Sequence, residues 1–224
     1  METVIYYDGY SSGIVQLTTF LKELGLSSEL KNSVELIKAI EYKKPDIIFL
    51  PGATGIEYGQ TLLPHKVILQ NYIKEGGIVC GTCGGFYLAG ENITFQDYQT
   101  KGLGLYSGNA IGDLPKLVDG KKFKEEGAGQ FIPVKLKGFE DKNVSAWYHG
   151  GTTYSAVEQD VEILGWYNKT KEPCAIKQHM GKGFFFGTGF HSEIRKYHEP
   201  NNGGYIKGSK EILIEFMKTH LNLK

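Results

Sequence analysis

Gly76-Gly77-Ile78-Val79-Cys80-Gly81-Thr82-Cys83-Gly84-Gly85-Phe86-Tyr87 decides how the chain is read. Ile78-Val79-Cys80 is a short, uninterrupted apolar run, as in a strand covered on both faces. It enters Gly-x-Cys-x-Gly, and helical sequence follows from Gly84. A cysteine on so sharp a strand-to-helix turn needs tiny neighbours, which Gly81 and Gly85 supply; the pattern is the cysteine form of a nucleophile elbow. The turn sets the sulfur at a helix amino terminus, where the dipole and free N–H groups favour thiolate. It also aims the Gly84 N–H at the place where an oxyanion would form. Two other readings stand beside this one. Cys83 is then a small buried hydrophobe at a glycine-rich turn, or Cys80-Gly81-Thr82-Cys83 is a C-x-x-C redox pair or half a metal site. No second C-x-x-C and no H-x-x-x-H accompanies it, so no metal is expected.

Outward from this stretch, strands and helices alternate through the first half of the chain. Val4-Ile5-Tyr6-Tyr7 is an apolar run closed by Asp8-Gly9. Residues 14–24 carry Ile14, Leu17, Leu21 and Leu24 at helical spacing, with Ser11 or Ser12 as N-cap and Gly25 past the end. Ser33 is read as the cap of a second helix through residue 41, with Val34, Ile37 and Ile40 on one face. Ile47-Ile48-Phe49-Leu50 is a second buried strand, broken at Pro51-Gly52, and residues 63–74 are a third helix. Repeated β-α units predict a parallel sheet with right-handed crossovers and helices on both faces. Such sheets bind ligands at the carboxyl ends of their strands. Residues 94–143 differ: rich in Gly and Lys, they form a β-rich or irregular insertion within a single domain spanning 1–224. The run Lys116, Lys121, Lys122, Lys124, Glu125, Glu126 reads as solvated surface. Strands resume at 145–149, 161–167, 174–178 and 184–188, and a helix over 209–220 turns Ile212, Leu213, Phe216 and Met217 inward.

A second segment carries chemistry. Gly183-Phe184-Phe185-Phe186-Gly187-Thr188-Gly189-Phe190-His191-Ser192-Glu193 is an aromatic strand leading to an H-x-E pair. Residues two apart in extended chain project to one side. A carboxylate there holds the imidazole in one tautomer and leaves the other nitrogen to face a nucleophile. Alone the pair is an ordinary surface loop; with the cysteine elbow it predicts a Cys83-His191-Glu193 triad. His149, beside Gly150-Gly151, is read as a pocket residue or a turn histidine. Arg195, with His198 and Glu199 nearby, is read as a surface ion pair.

Composition excludes several classes. Lys+Arg and Asp+Glu both number 25, giving zero net charge, and Arg195 is the single arginine. Phosphate and nucleic-acid sites favour the arginine fork, so no nucleic-acid partner is expected. No run reaches the roughly 18 apolar residues that span a bilayer, and no charged n-region with an apolar core opens the chain, so neither membrane nor secretory signal is expected. Three cysteines do not make a disulfide framework, and a reducing cytoplasm is the expected location. The sequons at Asn92, Asn143 and Asn168 are read as chance.

Leu50-Pro51-Gly52-Ala53, Gly81-Thr82-Cys83-Gly84-Gly85 and Phe190-His191-Ser192-Glu193 together resemble the class I glutamine amidotransferase superfamily. Val4-Ile5-Tyr6-Tyr7-Asp8-Gly9, Tyr87 and Tyr148-His149-Gly150-Gly151 bring the resemblance closest to the family named for the amino-terminal domain of biotin-protein ligase. It covers residues 4 to about 195. The resemblance implies a flavodoxin-like three-layer α/β sandwich with a mostly parallel central sheet. It implies Cys83 as nucleophile, His191 as base, Glu193 as orienting acid, and backbone N–H groups of Gly52 or Ala53 and of Gly84 as oxyanion donors. Cofactors are not implied. Glutaminase subunits carry a glutamine where this chain has Tyr87, so free L-glutamine is expected to be a poor substrate. No biotin-loop sequence is present and ligation is not expected. The leading expectation is a cysteine hydrolase or amidase acting on an amide or ester of a small molecule or peptide through a thioester. The alternatives are a non-catalytic ligand-binding or regulatory module, or a DJ-1-like redox or aldehyde-handling protein; the H-x-E favours hydrolysis. Self-association into a homo-oligomer stays open.

Overall fold

Alternation within each apolar run assigns side chains to opposite faces of one sheet, and two separate cores result. The structure, a computed structural model, describes residues 1–53, 57–155, 161–195 and 204–223. The first half runs β1 (Glu2–Tyr6), α1 (Ile14–Glu23), β2 (Ser27–Lys31), α2 (Ser33–Tyr42), β3 (Ile47–Leu50), α3 (Lys66–Lys74), β4 (Ile78–Thr82) and α4 (Gly84–Ala89). Then follow β5 (Gly90–Phe95), β6 (Tyr98–Lys101), β7 (Tyr106–Gly112), β8 (Gln130–Leu136), β9 (Val144–Tyr148) and β10 (Thr153–Ser155). β11 (Val161–Tyr167), β12 (Pro173–Met180), β13 (Gly183–Thr188) and α5 (Ser209–Leu221) complete the chain.

Nine strands form the central sheet in the order β2-β1-β3-β4-β13-β12-β11-β8-β9. Its β2-β1-β3-β4-β13 half is parallel, as the β-α units predict, and the rest continues antiparallel. Ile5, Ile47, Phe49 and Cys80 point to one face, where Leu17, Phe20 and Leu21 of α1 and Phe216 and Met217 of α5 cover them. Val4, Ile48, Leu50 and Val79 point to the other, under Leu36 and Ile40 of α2, Leu69 and Ile73 of α3 and Phe86 of α4. This is the three-layer α/β sandwich. Among the described residues, no helix is long and apolar enough to cross a membrane.

Local punctuation differs from the sequence reading in places. α1 starts after Gly13 at φ 68°, without a serine cap. α2 is capped by Asn32, whose side chain accepts from the Glu35 N–H while Glu35 reaches back, a capping box one residue ahead of Ser33. Val34 is exposed, and Leu36 and Ala39 join Ile37 and Ile40 inside. Residues 63–65 form a 3-10 turn ahead of α3. Residues 94–143 are divided between two sheets. β6 and β7 join β5 and β10 in a second, four-stranded sheet of order β10-β7-β5-β6. β8, whose Phe131, Ile132, Val134 and Leu136 are buried, belongs to the central one.

The β4–α4 turn has no spare room. A Cβ on Gly81 would stand 2.7 Å from the Gly85 carbonyl oxygen, and one on Gly85 would overlap the Leu50 carbonyl. Both obstacles are backbone and cannot rotate away. Gly85→Ala is therefore expected to destabilise the fold by about 3 kcal/mol or more, read from urea unfolding. A change within about 0.5 kcal/mol would show that α4 shifts freely and that the turn is not tightly held.

Candidate active site

Cys83 takes φ 50° and ψ −106° between β4 and α4, a backbone conformation that L-residues rarely adopt. Its N–H donates to the Thr188 carbonyl at 2.8 Å, and its carbonyl accepts from Phe86 and Tyr87 in the first turn of α4. The register Thr82↔Thr188 between parallel β4 and β13 then explains how residues distant in sequence meet. Cys83 follows the end of one strand by one residue and His191 follows the end of its neighbour by three. His191 is fixed from the other side by its N–H to the Trp147 carbonyl, 2.8 Å. The relative exposures of Cys83, His191 and Glu193 are 5%, 7% and 3%, so water has little part in the arrangement.

The structure brings these three side chains together. His191 Nδ1 is 2.6 Å from Glu193 Oε1, and the Cys83 sulfur lies near enough to act on the charge of the ring. With Nδ1 committed to the carboxylate, Nε2 is the nitrogen available to the sulfur. Burial opposes charge on His191. The Glu193 carboxylate, with its hydrogen bond, and the nearby Cys83 sulfur outweigh it and hold the His191 pKa well above its ordinary value. Glu193 is placed in turn by α1: a Cβ on Gly13 would lie 3.7 Å from Oε1, so the carboxylate sits beside the positive end of that helix. Arg195 pairs with Glu23 of α1 and leaves Glu193 to the histidine; His198 and Glu199 lie outside the described residues.

The remaining sequence-selected groups fall around this centre. A Cβ on Gly84 would stand 2.7 Å from the Ala53 nitrogen, so the backbones of Gly84 and Ala53 lie side by side next to Cys83. Gly52 abuts the imidazole, since a Cβ there would be 2.7 Å from His191 Cε1, and its carbonyl accepts from the Ser12 N–H. Tyr87 borders the cleft, with its hydroxyl donating to the Gly150 and Gly151 carbonyls at 3.1 and 2.9 Å. His149 contributes its carbonyl oxygen, 3.7 Å from Cys83 Sγ, while its ring packs on Phe123 and contacts the Phe123 carbonyl. Cys80 is turned into the α1–α5 core, away from Cys83. Cys80, Cys83 and Cys174 are all free thiols, so no 80–83 disulfide is present.

Sequence reasoning placed Tyr87 at the pocket and missed the other walls. A cleft of about 630 Å³ opens on Cys83 between the elbow, the β5–β6 hairpin and the segment holding Phe123 and Lys124, with Tyr58 on the far side. The alternation Ile93, Phe95 was a usable strand signal. The turn obscured it, because Gln96 takes the φ of 53° that Asn or Gly usually supplies.

Burial pushes the Cys80 and Cys174 thiols far up, whereas Cys83 lines the cleft at the start of α4. Iodoacetamide at neutral pH is therefore expected to label Cys83 at least about tenfold faster than either. Peptide mapping reads the ratio, and equal rates for Cys83 and Cys174 would make Cys83 an inert core residue.

The family model described as "Biotin-protein ligase, N terminal" matches residues 11–221. A probable cobyric acid synthase of Methanocaldococcus jannaschii is 27% identical over 157 residues, 68% of this chain and 31% of that protein. The chain thus spans about a third of the length of the curated relatives it matches. Among solved structures, a glutamine amidotransferase superposes with TM-score 0.63 at 15% identity, covering 85% of this chain and 90% of its own. PurLQS from Thermotoga maritima superposes with TM-score 0.64 at 16% identity, over 100% of this chain and 99% of the other. The likeness to both is one of fold: the glutamine-amidotransferase-like α/β sandwich.

Proposed function

Taking as premise that the chain belongs to the biotin-protein ligase N-terminal family, we propose that it is a cysteine-dependent hydrolase of carboxylic amides or esters. The thiolate of Cys83 adds to the substrate carbonyl carbon. The oxyanion accepts N–H groups of Ala53 and Gly84, since that of Cys83 is already committed to Thr188. The His191 imidazolium gives its proton to the leaving nitrogen or oxygen, the C–N or C–O bond breaks, and the acyl group remains as a thioester. Neutral His191 then takes a proton from water, hydroxide adds to the thioester, and the carboxylic acid leaves as the Cys83 thiolate and the His191 imidazolium are restored. Glu193 keeps the imidazole in the working tautomer throughout.

One observation carries this reading: a 2.6 Å His191–Glu193 contact in the neighbourhood of a cysteine at φ 50°. The rival, a binding module on the same fold, has no use for a buried, charged histidine. The test is a panel of amides and esters incubated with the protein and quenched in acid. A mass increase on the Cys83 peptide equal to the acyl group, absent in Cys83→Ala, is the expected result. Ligands that bind with no acyl-Cys83 at any time point would favour the binding module.

A further inference from the structure

The cleft beside Cys83 has a chemistry that narrows what it accepts. Its walls are Tyr58, Tyr87, Leu88, Ile93, Phe95 and Phe123. Three of these rings lock edge to face, Tyr87 on Phe95 at 5.7 Å and Phe95 on Phe123 at 5.8 Å. Two hydroxyls at the walls are enclosed, those of Tyr87 and Tyr58. That of Tyr87 is engaged by Gly150 and Gly151, and that of Tyr58 is buried without a partner. The charged groups bordering the cleft, Glu57, Asp97 and Lys124, are exposed side chains at its rim, where solvent screens them. A zwitterion would lose hydration to walls that return no matched charge. An aromatic ring would extend the existing edge-to-face series. At about 630 Å³ the cleft takes a small molecule of several rings' bulk.

We infer that the substrate is a small carboxylic amide carrying an aromatic ring on its acyl side, held by Phe95 and Phe123. The chemical step rests on the hydrolase reading above, but the recognition does not. A primary amide releases only ammonia, so the acyl side is what the cleft must distinguish. Cys83 Sγ bonds to the aryl-acyl carbon as the C–N bond breaks, ammonia leaves with a proton from His191, and water returns the aryl acid.

Phenylacetamide, butanamide and L-glutamine share that leaving group and differ in the acyl part. Calorimetry on Cys83→Ala reads recognition without turnover. Phenylacetamide is expected to bind about tenfold or more tighter than butanamide or L-glutamine. Phe95→Ala and Phe123→Ala in that background should each remove most of the advantage, with circular dichroism unchanged. Phe95→Leu, which keeps bulk without a ring, serves where alanine disturbs the hairpin. Ammonia release from wild type should follow the same order. Equal affinity for phenylacetamide and butanamide, or tighter binding and faster hydrolysis of L-glutamine, overturns the inference and leaves the hydrolase reading standing. Tight phenylacetamide binding with neither ammonia release nor acyl-Cys83 in wild type upholds the recognition of the aryl group and counts against its amide as the substrate.

Discussion

Cys83→Ala is expected to lower turnover of the best amide or ester substrate by about 10⁴-fold or more, and His191→Ala by a comparable factor. Combining the two should cost little beyond either alone. The reason is chemical. Without the sulfur no thioester forms, and without the imidazole the sulfur lacks both the cation that favours its charge and the acid that protonates the leaving group. Each loss disables the same step, so the penalties overlap instead of adding. On the proposed mechanism, what remains comes from binding and from the Ala53 and Gly84 N–H groups, which the substitutions do not touch. The measurement is kcat and KM for wild type, both single variants and the double variant, with unfolding midpoints alongside. KM should change little, because the aromatic walls stay intact. Strict multiplication of the two losses, or Cys83→Ala retaining a tenth of wild-type kcat, would separate cysteine from histidine and end the triad reading.

How the site could be read from sequence follows from what each part depends on. Cys83 and His191 were legible because both sit just past apolar strands that must lie inside the sheet. Ile78-Val79-Cys80 and Phe184-Phe185-Phe186 are adjacent in register. Gly81 and Gly85 were legible as absences of bulk at close approaches, whereas the close approach of Gly52 to the imidazole was not. β2 was not: Ser27-Ser28-Glu29-Leu30-Lys31 is an edge strand with no buried residue, so no alternation marks it. The cap of α2 was misplaced by one residue because Asn32 and Ser33 are both good caps, and Glu35 completes a box only with the first. Apart from Tyr87, the cleft walls were invisible for another reason. Phe95, Phe123 and Tyr58 meet only because a second sheet packs over the elbow, and its turn at Gln96 lacks the usual residues. Chemistry at strand ends was local enough to read; recognition was built from tertiary contacts.

Glu193→Gln should cost on the order of 10³-fold in kcat while leaving the fold close to unchanged. Glutamine keeps the shape of the side chain beside Gly13 and can still touch Nδ1. It removes the negative charge and can present an N–H where His191 needs an acceptor, which favours the wrong tautomer. The charge matters equally. Burial of His191 opposes protonation, and Glu193 is the largest influence against that effect. Its loss should drop the His191 pKa from well above the ordinary value toward or below it, as burial dominates. The linkage signs then differ between the two proteins. In wild type the imidazolium contributes stability that is complete below the unfolded pKa of about 6.5 and is lost as pH rises through the raised folded value. In Glu193→Gln a neutral buried imidazole makes the protein less stable as pH falls below about 6.5, because the unfolded chain then binds the extra proton. Ring-proton NMR titration of His191, assigned with His191→Asn, and urea midpoints across pH read both effects. An unchanged His191 titration together with wild-type kcat would assign Glu193 to packing against α1 alone.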